Sequence, residues 1–315
     1  MSSVVVGLDG SDASAAAMRW ALDEALLRDL PVLAVHAWRS PEHPILHGVV
    51  PPALAPRDEE ARDQEARDEE ARDEEARDQE ARDALVTAER LVAEALADRD
   101  TAAPTVTPIA REDYPAAVLL DAAFSADQLV VGRRGASGLS RSLVGSVTDQ
   151  VVRHARCPVT VIGSPGLQRE RTGRRVVVGV DGSPGSRAAL RRAAEEARAR
   201  QVELHVVQAY RPAVGDPGGG GPWLPAIDRT QREIEQSLAA VVEEELGTAP
   251  PPVRLTVECG PTASVLLHAA QGVDLLVVGS RGRGGFATLL LGSVSMHCLH
   301  HATGPLQIVR PDGRE

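Results

Sequence analysis

Lysine is absent from this sequence: all 34 basic residues are arginine. Base composition alone accounts for that bias, and no function is attached to it. Aromatic side chains amount to 2% (three Trp, two Tyr, two Phe), so any core has to be filled with Val, Leu and Ala. Cysteine is limited to Cys157, Cys259 and Cys298. An odd number without metal-ligand spacing argues against a disulfide scaffold and fits a reducing compartment. No apolar run approaches the ~18 residues that a membrane span needs, and no basic-then-apolar leader opens the chain. A soluble, non-exported, cytoplasmic protein with no membrane partner is expected. The net charge of −11 is not relieved by any basic face, which argues against nucleic acid as a partner.

What the chain does have is repetition. Its 315 residues, 43% of them hydrophobic, are enough for two ordinary domains. Val4-Val5-Val6-Gly7-Leu8-Asp9-Gly10-Ser11 returns 172 residues later as Val176-Val177-Val178-Gly179-Val180-Asp181-Gly182-Ser183. Val118-Leu119-Leu120 returns as Val265-Leu266-Leu267 at an offset of 147. The first half therefore carries 25 additional residues between positions 37 and 118.

Each half alternates short β-branched runs with helical periodicity. Strands are expected over 3–8, 32–37, 105–110, 128–132 and 158–162, and again over 175–180, 202–208, 253–258, 274–279 and 305–309. Helices are expected up to Arg28, up to Ala97, and over 115–124, 145–155, 184–200, 226–246, 262–271 and 292–302. The first helix should pack through Ala15, Met18, Leu22, Ala25 and Leu26. Strands that are apolar at nearly every position are buried on both faces, so the fold class is α/β: two tandem, doubly wound parallel-sheet domains of five strands each. The boundaries fall at 1–163 and 174–315, with a short polar linker over 164–173.

The extra length is a charged repeat. Residues 57–83 are built from Arg-Asp-Glu-Glu-Ala and Arg-Asp-Gln-Glu-Ala pentads and hold six Arg, six Asp and eight Glu. Acid precedes base by four residues throughout, the favourable order on a helix. A five-residue step turns roughly 140° about a helix, so the alanines form no stripe and no coiled-coil seam. A solvated helical arm is expected, leading into a packing face at Leu85, Ala88, Leu91, Val92, Ala95 and Leu96. An inert repeat of variable length is one reading of it, and a protein-binding arm is the other.

The chemistry is carried by two glycine loops. Gly132-Arg133-Arg134-Gly135 precedes Gly145-Ser146-Val147, and Gly279-Ser280-Arg281-Gly282 precedes Gly292-Ser293-Val294, both spaced G-x2-G-x9-G-S. Each loop leaves a strand end and enters a helix N-terminus, where free N–H groups and the helix dipole favour an anion. Ser146 and Ser293 can donate a hydroxyl to a phosphate oxygen. Asp9 and Asp181 end the neighbouring strand, placed for a sugar hydroxyl or a metal-bound phosphate. The pattern is neither a Walker loop, since Gly-Lys-Ser/Thr is missing, nor the dinucleotide fingerprint, which follows a first strand. The alternative is that these glycines only shape a turn. Arg133, Arg134, Arg141, Arg281 and Arg283 lie on the same loops, as solvated charge or as phosphate ligands. His297-Cys298-Leu299-His300-His301 is read as helix-end packing rather than a metal site, and no metal-ligand set is assigned. No nucleophile–base pair is present, so a binding protein is expected ahead of a slow ATPase or phosphoryl-transfer enzyme.

On these residues the chain resembles the universal stress protein family, as a tandem of two such domains. The resemblance covers all but the pentads and the linker. The stretch from Val278 to Ser295 is very close to the family's ATP-binding signature, whereas the first copy has Arg133 where Ser is usual. The resemblance implies the layering of adenine nucleotide alpha hydrolases and flavodoxins, and ATP in each half; Asp9 and Asp181 are carboxylates that could hold a Mg²⁺ beside it. The resemblance places phosphates on Gly132, Gly135, Gly145, Ser146 and Val147, and on Gly279, Gly282, Gly292, Ser293 and Val294. It sets Asp9 and Asp181 beside ribose or phosphate, the backbone of Ala37 and Ala209 against adenine, and Val131 and Val278 on the flank. It also implies that the last strand of each half pairs across the junction, so that one chain imitates a dimer, with homo-oligomers as a further expectation.

Overall fold

A computed structural model describes residues 2–39, 59–97, 103–135, 144–163, 173–211, 224–283 and 290–311, with side chains from 74 and from 231 onward in the second and sixth segments. Most of the proline-bearing connections 38–56 and 211–225, nearly all of the expected linker, and Arg141 lie outside the described residues.

The first half runs β1 (Val4–Leu8), α1 (Asp12–Arg28), β2 (Val32–Trp38), α2 (Glu59–Ala97), β3 (Val106–Glu112), α3 (Pro115–Ala122), β4 (Gln128–Gly132), α4 (Ser146–His154) and β5 (Val159–Ile162). The second repeats it as β6 (Gly173–Gly179), α5 (Pro184–Arg200), β7 (Glu203–Tyr210), α6 (Leu224–Leu246), β8 (Val253–Cys259), α7 (Thr262–Ala269), β9 (Val273–Gly279), α8 (Ser293–His301) and β10 (Leu306–Val309). The ten strands form one sheet in the order β3-β2-β1-β4-β5-β10-β9-β6-β7-β8. Pairing is parallel within each half, as the doubly apolar strands require. At the junction β5 and β10 pair antiparallel, with Leu306 opposite Val161, Gln307 opposite Thr160 and Ile308 opposite Val159. The expected cross-junction pairing of the last strands is therefore present.

The strand pleat sorts the core into two layers. Val4 and Val6, with Val176 and Val178, face a layer holding Met18, Leu22, Leu190, Val92 and Leu238 of α1, α5, α2 and α6. Val5, with Val177, faces the opposite layer, where α3, α4, α7 and α8 contribute Leu119, Val151, Leu266 and Leu299.

Two faces differ from the periodicity reading. In α1, Met18, Leu22 and Ala25 are buried as expected, but Leu26 is 40% exposed and Ala17, Ala21 and Glu24 are buried instead. The helix lies over β1, β4 and β5 and also against α5, so a second flank is covered, which the apolar stripe alone does not show. In α2, Ala88, Val92 and Ala95 pack as expected; Leu85 is 38% exposed and Ala84 takes the inward place. Upstream, residues 74–79 are all exposed, while Glu80 and Ala81 are half-buried, so the charged repeat is helical and solvated over 74–79. Among the described residues no helix is long and apolar enough to cross a membrane.

Candidate functional site

In each half the chain order reverses beside its first strand. From β1 the chain passes outward to β2, whereas β4, on its other side, continues to β5. The loops after β1 and β4 diverge there and leave a crevice at the carboxyl edge, where open α/β sheets accept ligands.

After β1 the chain turns at Gly10, whose φ of +79° suits glycine. Asp9 Oδ1 accepts the Ser11 backbone N–H at 3.0 Å and its hydroxyl at 2.6 Å. Ser11 Oγ in turn accepts the Ser14 N–H at 3.1 Å, capping α1. The second half repeats the turn with Asp181, Gly182 and Ser183 at matching distances of 3.0 and 2.6 Å. There Asp181 Oδ2 also accepts the Arg283 backbone N–H at 3.1 Å. Burial acts to raise the Asp181 carboxyl, and the hydrogen bonds from Ser183, Ser186 and Arg283 outweigh it, holding it below the usual carboxylate value.

The glycine loops are closed by short backbone links. Gly145 N–H donates to the Arg133 carbonyl at 2.8 Å, and Gly292 N–H to Ser280 at 2.7 Å. Thr148 Oγ1 donates to the Gly132 carbonyl at 2.7 Å, and Ser295 Oγ to Gly279 at 2.6 Å. Each hydroxyl ties the first helical turn to the strand end. The N–H groups that open α4 and α8, at Ser146–Val147 and Ser293–Val294, have no acceptor within their own helix.

The glycines differ in what they make room for. A Cβ at Gly132 would lie 2.8 Å from the Ala13 backbone, and one at Gly279 2.6 Å from that of Gly185, so the strand end abuts the helix. At Gly135 and Gly282 it would lie 2.6 Å from the Asp9 and Asp181 carboxylates. At Gly145 its nearest neighbour, the Arg133 carbonyl, is 3.5 Å away, an ordinary contact.

The sixteen residues that the sequence assigns to a nucleotide line two cavities. Asp9, Ala37, Val131, Gly132, Gly135, Gly145, Ser146 and Val147 line one of about 270 Å³. Asp181, Ala209, Val278, Gly279, Gly282, Gly292, Ser293 and Val294 line one of about 400 Å³. Each cavity is polar along the loop and helix N-terminus and apolar toward Leu119 or Leu266, a division that suits a flat base with an anionic tail. Arg134, Arg281 and Arg283 also line the cavities.

Arg133 does not line either cavity. Its side chain is 6% exposed, and its guanidinium crosses the junction to donate to the Ala302 carbonyl at the end of α8. Burial lowers its pKa to about 10, with Arg134 adding to the shift. Sequence reasoning also passed over Thr148 and Ser14 as lining residues; the hydroxyl two positions after Ser146 and Ser293 was the available signal for Thr148 and Ser295. His297 and His301 stack on one another with ring centroids 4.2 Å apart. Among the described residues no three His, Cys, Asp or Glu side chains converge to hold a metal ion. Burial raises the Cys157 and Cys298 thiols to about 11 and about 12, which leaves them protonated and unreactive at neutral pH.

Comparison with known proteins agrees with this duplicated architecture. The model of the universal stress protein family matches residues 1–163 and again 173–310. A universal stress protein of Mycolicibacterium smegmatis is 34% identical over 98% of this chain and 97% of its own length. One from Mycobacterium tuberculosis is 32% identical over 98% and 96%. The crystal structure of a universal stress protein from Archaeoglobus fulgidus superposes with a TM-score of 0.55 at 18% identity, covering 98% of both chains.

Proposed function

The chain belongs to the universal stress protein family, and on that premise we propose that it is an ATP-binding regulatory module whose nucleotide occupancy, rather than turnover, carries its role in the stress response. The supporting observation is convergence: in both halves, residues chosen from sequence alone surround one cavity at the switch point of the sheet. The donors fit a polyphosphate. Backbone N–H groups at the head of a nine-residue helix, a serine hydroxyl and arginines meet where glycines keep side chains out of the way. The apolar end between Ala37 and Val131, or Ala209 and Val278, suits adenine.

Asp181 supports binding over turnover. Both of its oxygens already accept hydrogen bonds from the turn and the glycine loop, so the carboxylate clips two loops together. A Mg²⁺ accompanying ATP would take at most one protein carboxylate in each cavity, Asp9 or Asp181, with its other ligands drawn from phosphate and water.

Mass analysis of nucleotide carried through purification tests the reading, with Gly145→Val and Gly292→Val prepared separately. Adenine nucleotide in the unmodified protein, reduced by each variant, is the expected result. No nucleotide on purification and none taken up from added ATP would overturn it. Release of ADP at a rate that Asp9→Ala and Asp181→Ala abolish would favour a slow ATPase instead.

A further inference from the structure

The two cavities are copies of one design, yet they differ in size and in charge. Val180 and Ser295 line the second where Leu8 and Thr148 line the first, each smaller by one carbon. The volumes differ in the same direction, about 400 Å³ against about 270 Å³. Ligand pockets generally begin at about 300 Å³, so the second has room to spare and the first is tight.

The charge difference centres on Arg283. The repeat offset places it opposite Ala136, so the side chain has no basic counterpart at that position of the first loop. Its own N–H is fixed on Asp181 Oδ2 at 3.1 Å, which anchors the residue at the cavity wall. Its guanidinium lies over the Asp181-Gly182 turn, with Nη2 at the place a Gly182 Cβ would fill. At Gly10, the matching turn, nothing among the described residues lies within 4 Å. Arg281 lines the same cavity as Arg134 lines the first, so among the described residues Arg283 is the arginine that the second cavity has in addition.

Resting on the reading of these cavities as adenine-nucleotide sites, we propose that Arg283 is the residue by which the second cavity discriminates phosphate number. Its fork engages the terminal phosphate of a nucleoside triphosphate, which a monophosphate cannot present to it. The backbone N–H groups of Ser293 and Val294 serve the phosphates common to both. Charge-assisted, bidentate pairing with phosphate is the strongest polar contact an exposed arginine makes. Because the guanidinium is exposed and caps no helix, its removal should leave the fold intact.

The test is calorimetric titration of ATP, ADP and AMP into the full chain carrying Gly135→Val, whose side chain meets the Asp9 carboxylate and closes the first cavity, so that the second is read alone. ATP should bind at least about tenfold more tightly than AMP. Adding Arg283→Ala should weaken ATP by about tenfold while AMP stays within about threefold. An unchanged ATP-to-AMP ratio in Arg283→Ala, or an equal loss for both nucleotides, overturns the assignment while leaving adenine-nucleotide binding in place. Failure of every adenine nucleotide to bind the unmodified chain overturns this assignment together with the reading beneath it.

Discussion

Arg28 on α1 reaches Glu196 on α5 at 2.7 Å, and Arg200 on α5 pairs back with Glu24 on α1. The repeat offset of 172 relates Glu24 to Glu196 and Arg28 to Arg200. The two halves thus exchange equivalent ion pairs beside the β5–β10 seam. Gln307 completes the group, donating to Gln128 at 3.0 Å and to Glu196 at 3.2 Å.

The equivalent carboxylates should respond to acid with opposite sign. Burial raises the Glu24 carboxyl and Glu196 adds to it, more than Arg200, Arg28 and Gln128 lower it. Burial also acts to raise Glu196, but Arg200, Arg192 and Arg28 prevail and hold it at about 2, against an ordinary value of 4.5. Glu196 therefore contributes stability that is complete above about 4.5 and is lost as pH falls toward about 2. Glu24 takes up its proton more readily in the folded state, so its protonation favours folding as pH falls. Glu196→Gln should cost about 3–5 kcal/mol at neutral pH, and Glu24→Gln distinctly less. Urea titrations at pH 7 and pH 4 check this; equal losses for both variants would be the contrary result.

Arg133 presents a separable pair of roles. Its backbone shapes the first cavity, with the N–H donating to Ile162 and the carbonyl accepting from Gly145, each at 2.8 Å. Its side chain instead caps the opposite half at Ala302. Arg310 does the reverse from the second half, donating to the Val152 carbonyl at 3.3 Å and to that of Arg153. Arg133→Ser, which installs the residue found at position 280, should lower stability by about 1–3 kcal/mol through the lost cap. Nucleotide affinity at the first cavity should stay within about threefold, since the backbone links persist. Thermal unfolding and ATP titration on the Gly292→Val background separate the two effects. Loss of binding would show that the guanidinium, not the backbone, sets the loop.

The glycines of the motif should not be interchangeable. Gly135→Ala pushes a methyl to within 2.6 Å of the Asp9 carboxylate and so forces the strand end and the loop apart. Gly145→Ala meets the Arg133 carbonyl at 3.5 Å with φ at −69°, which any residue adopts. Affinity at the first cavity should fall more than about tenfold for the former and less than about threefold for the latter. Equilibrium titration of both, again with the second cavity closed, decides it.

How much of this was legible follows from which signals are local. The strands and helices could be read because Val-rich runs and capping serines such as Ser11 and Ser183 act within a few residues. The cavity linings could be read because a duplicated motif points twice at the same geometry. The burial of Glu24 could not: on its own helix it is one charge among many, and only the approach of α5 across the seam encloses it. The same holds for Arg133, whose partner Ala302 is 169 residues away. Periodicity also misplaced Leu26 and Leu85, because it assumes one buried face, whereas α1 is covered on two.

The charged arm offers a clean excision. Full burial on α2 begins at Ala84 and Ala88, Glu80 and Ala81 are half-buried, and residues 74–79 upstream are exposed. Removing residues 58–82 takes out five whole pentads. At 3.6 residues per turn that is nearly seven turns, so the register of what remains changes by only about 20°. Ala84, Ala88, Val92 and Ala95 should keep their places against the sheet while the helix shortens by about 37 Å. The deleted chain should unfold within about 1 kcal/mol of the parent and bind ATP with unchanged affinity, and its hydrodynamic radius should shrink. Size-exclusion chromatography, urea unfolding and ATP titration on the same preparation provide the check. A large loss of ATP affinity in a folded, shortened protein would mean that the arm acts on the cavities and is not a separate appendage.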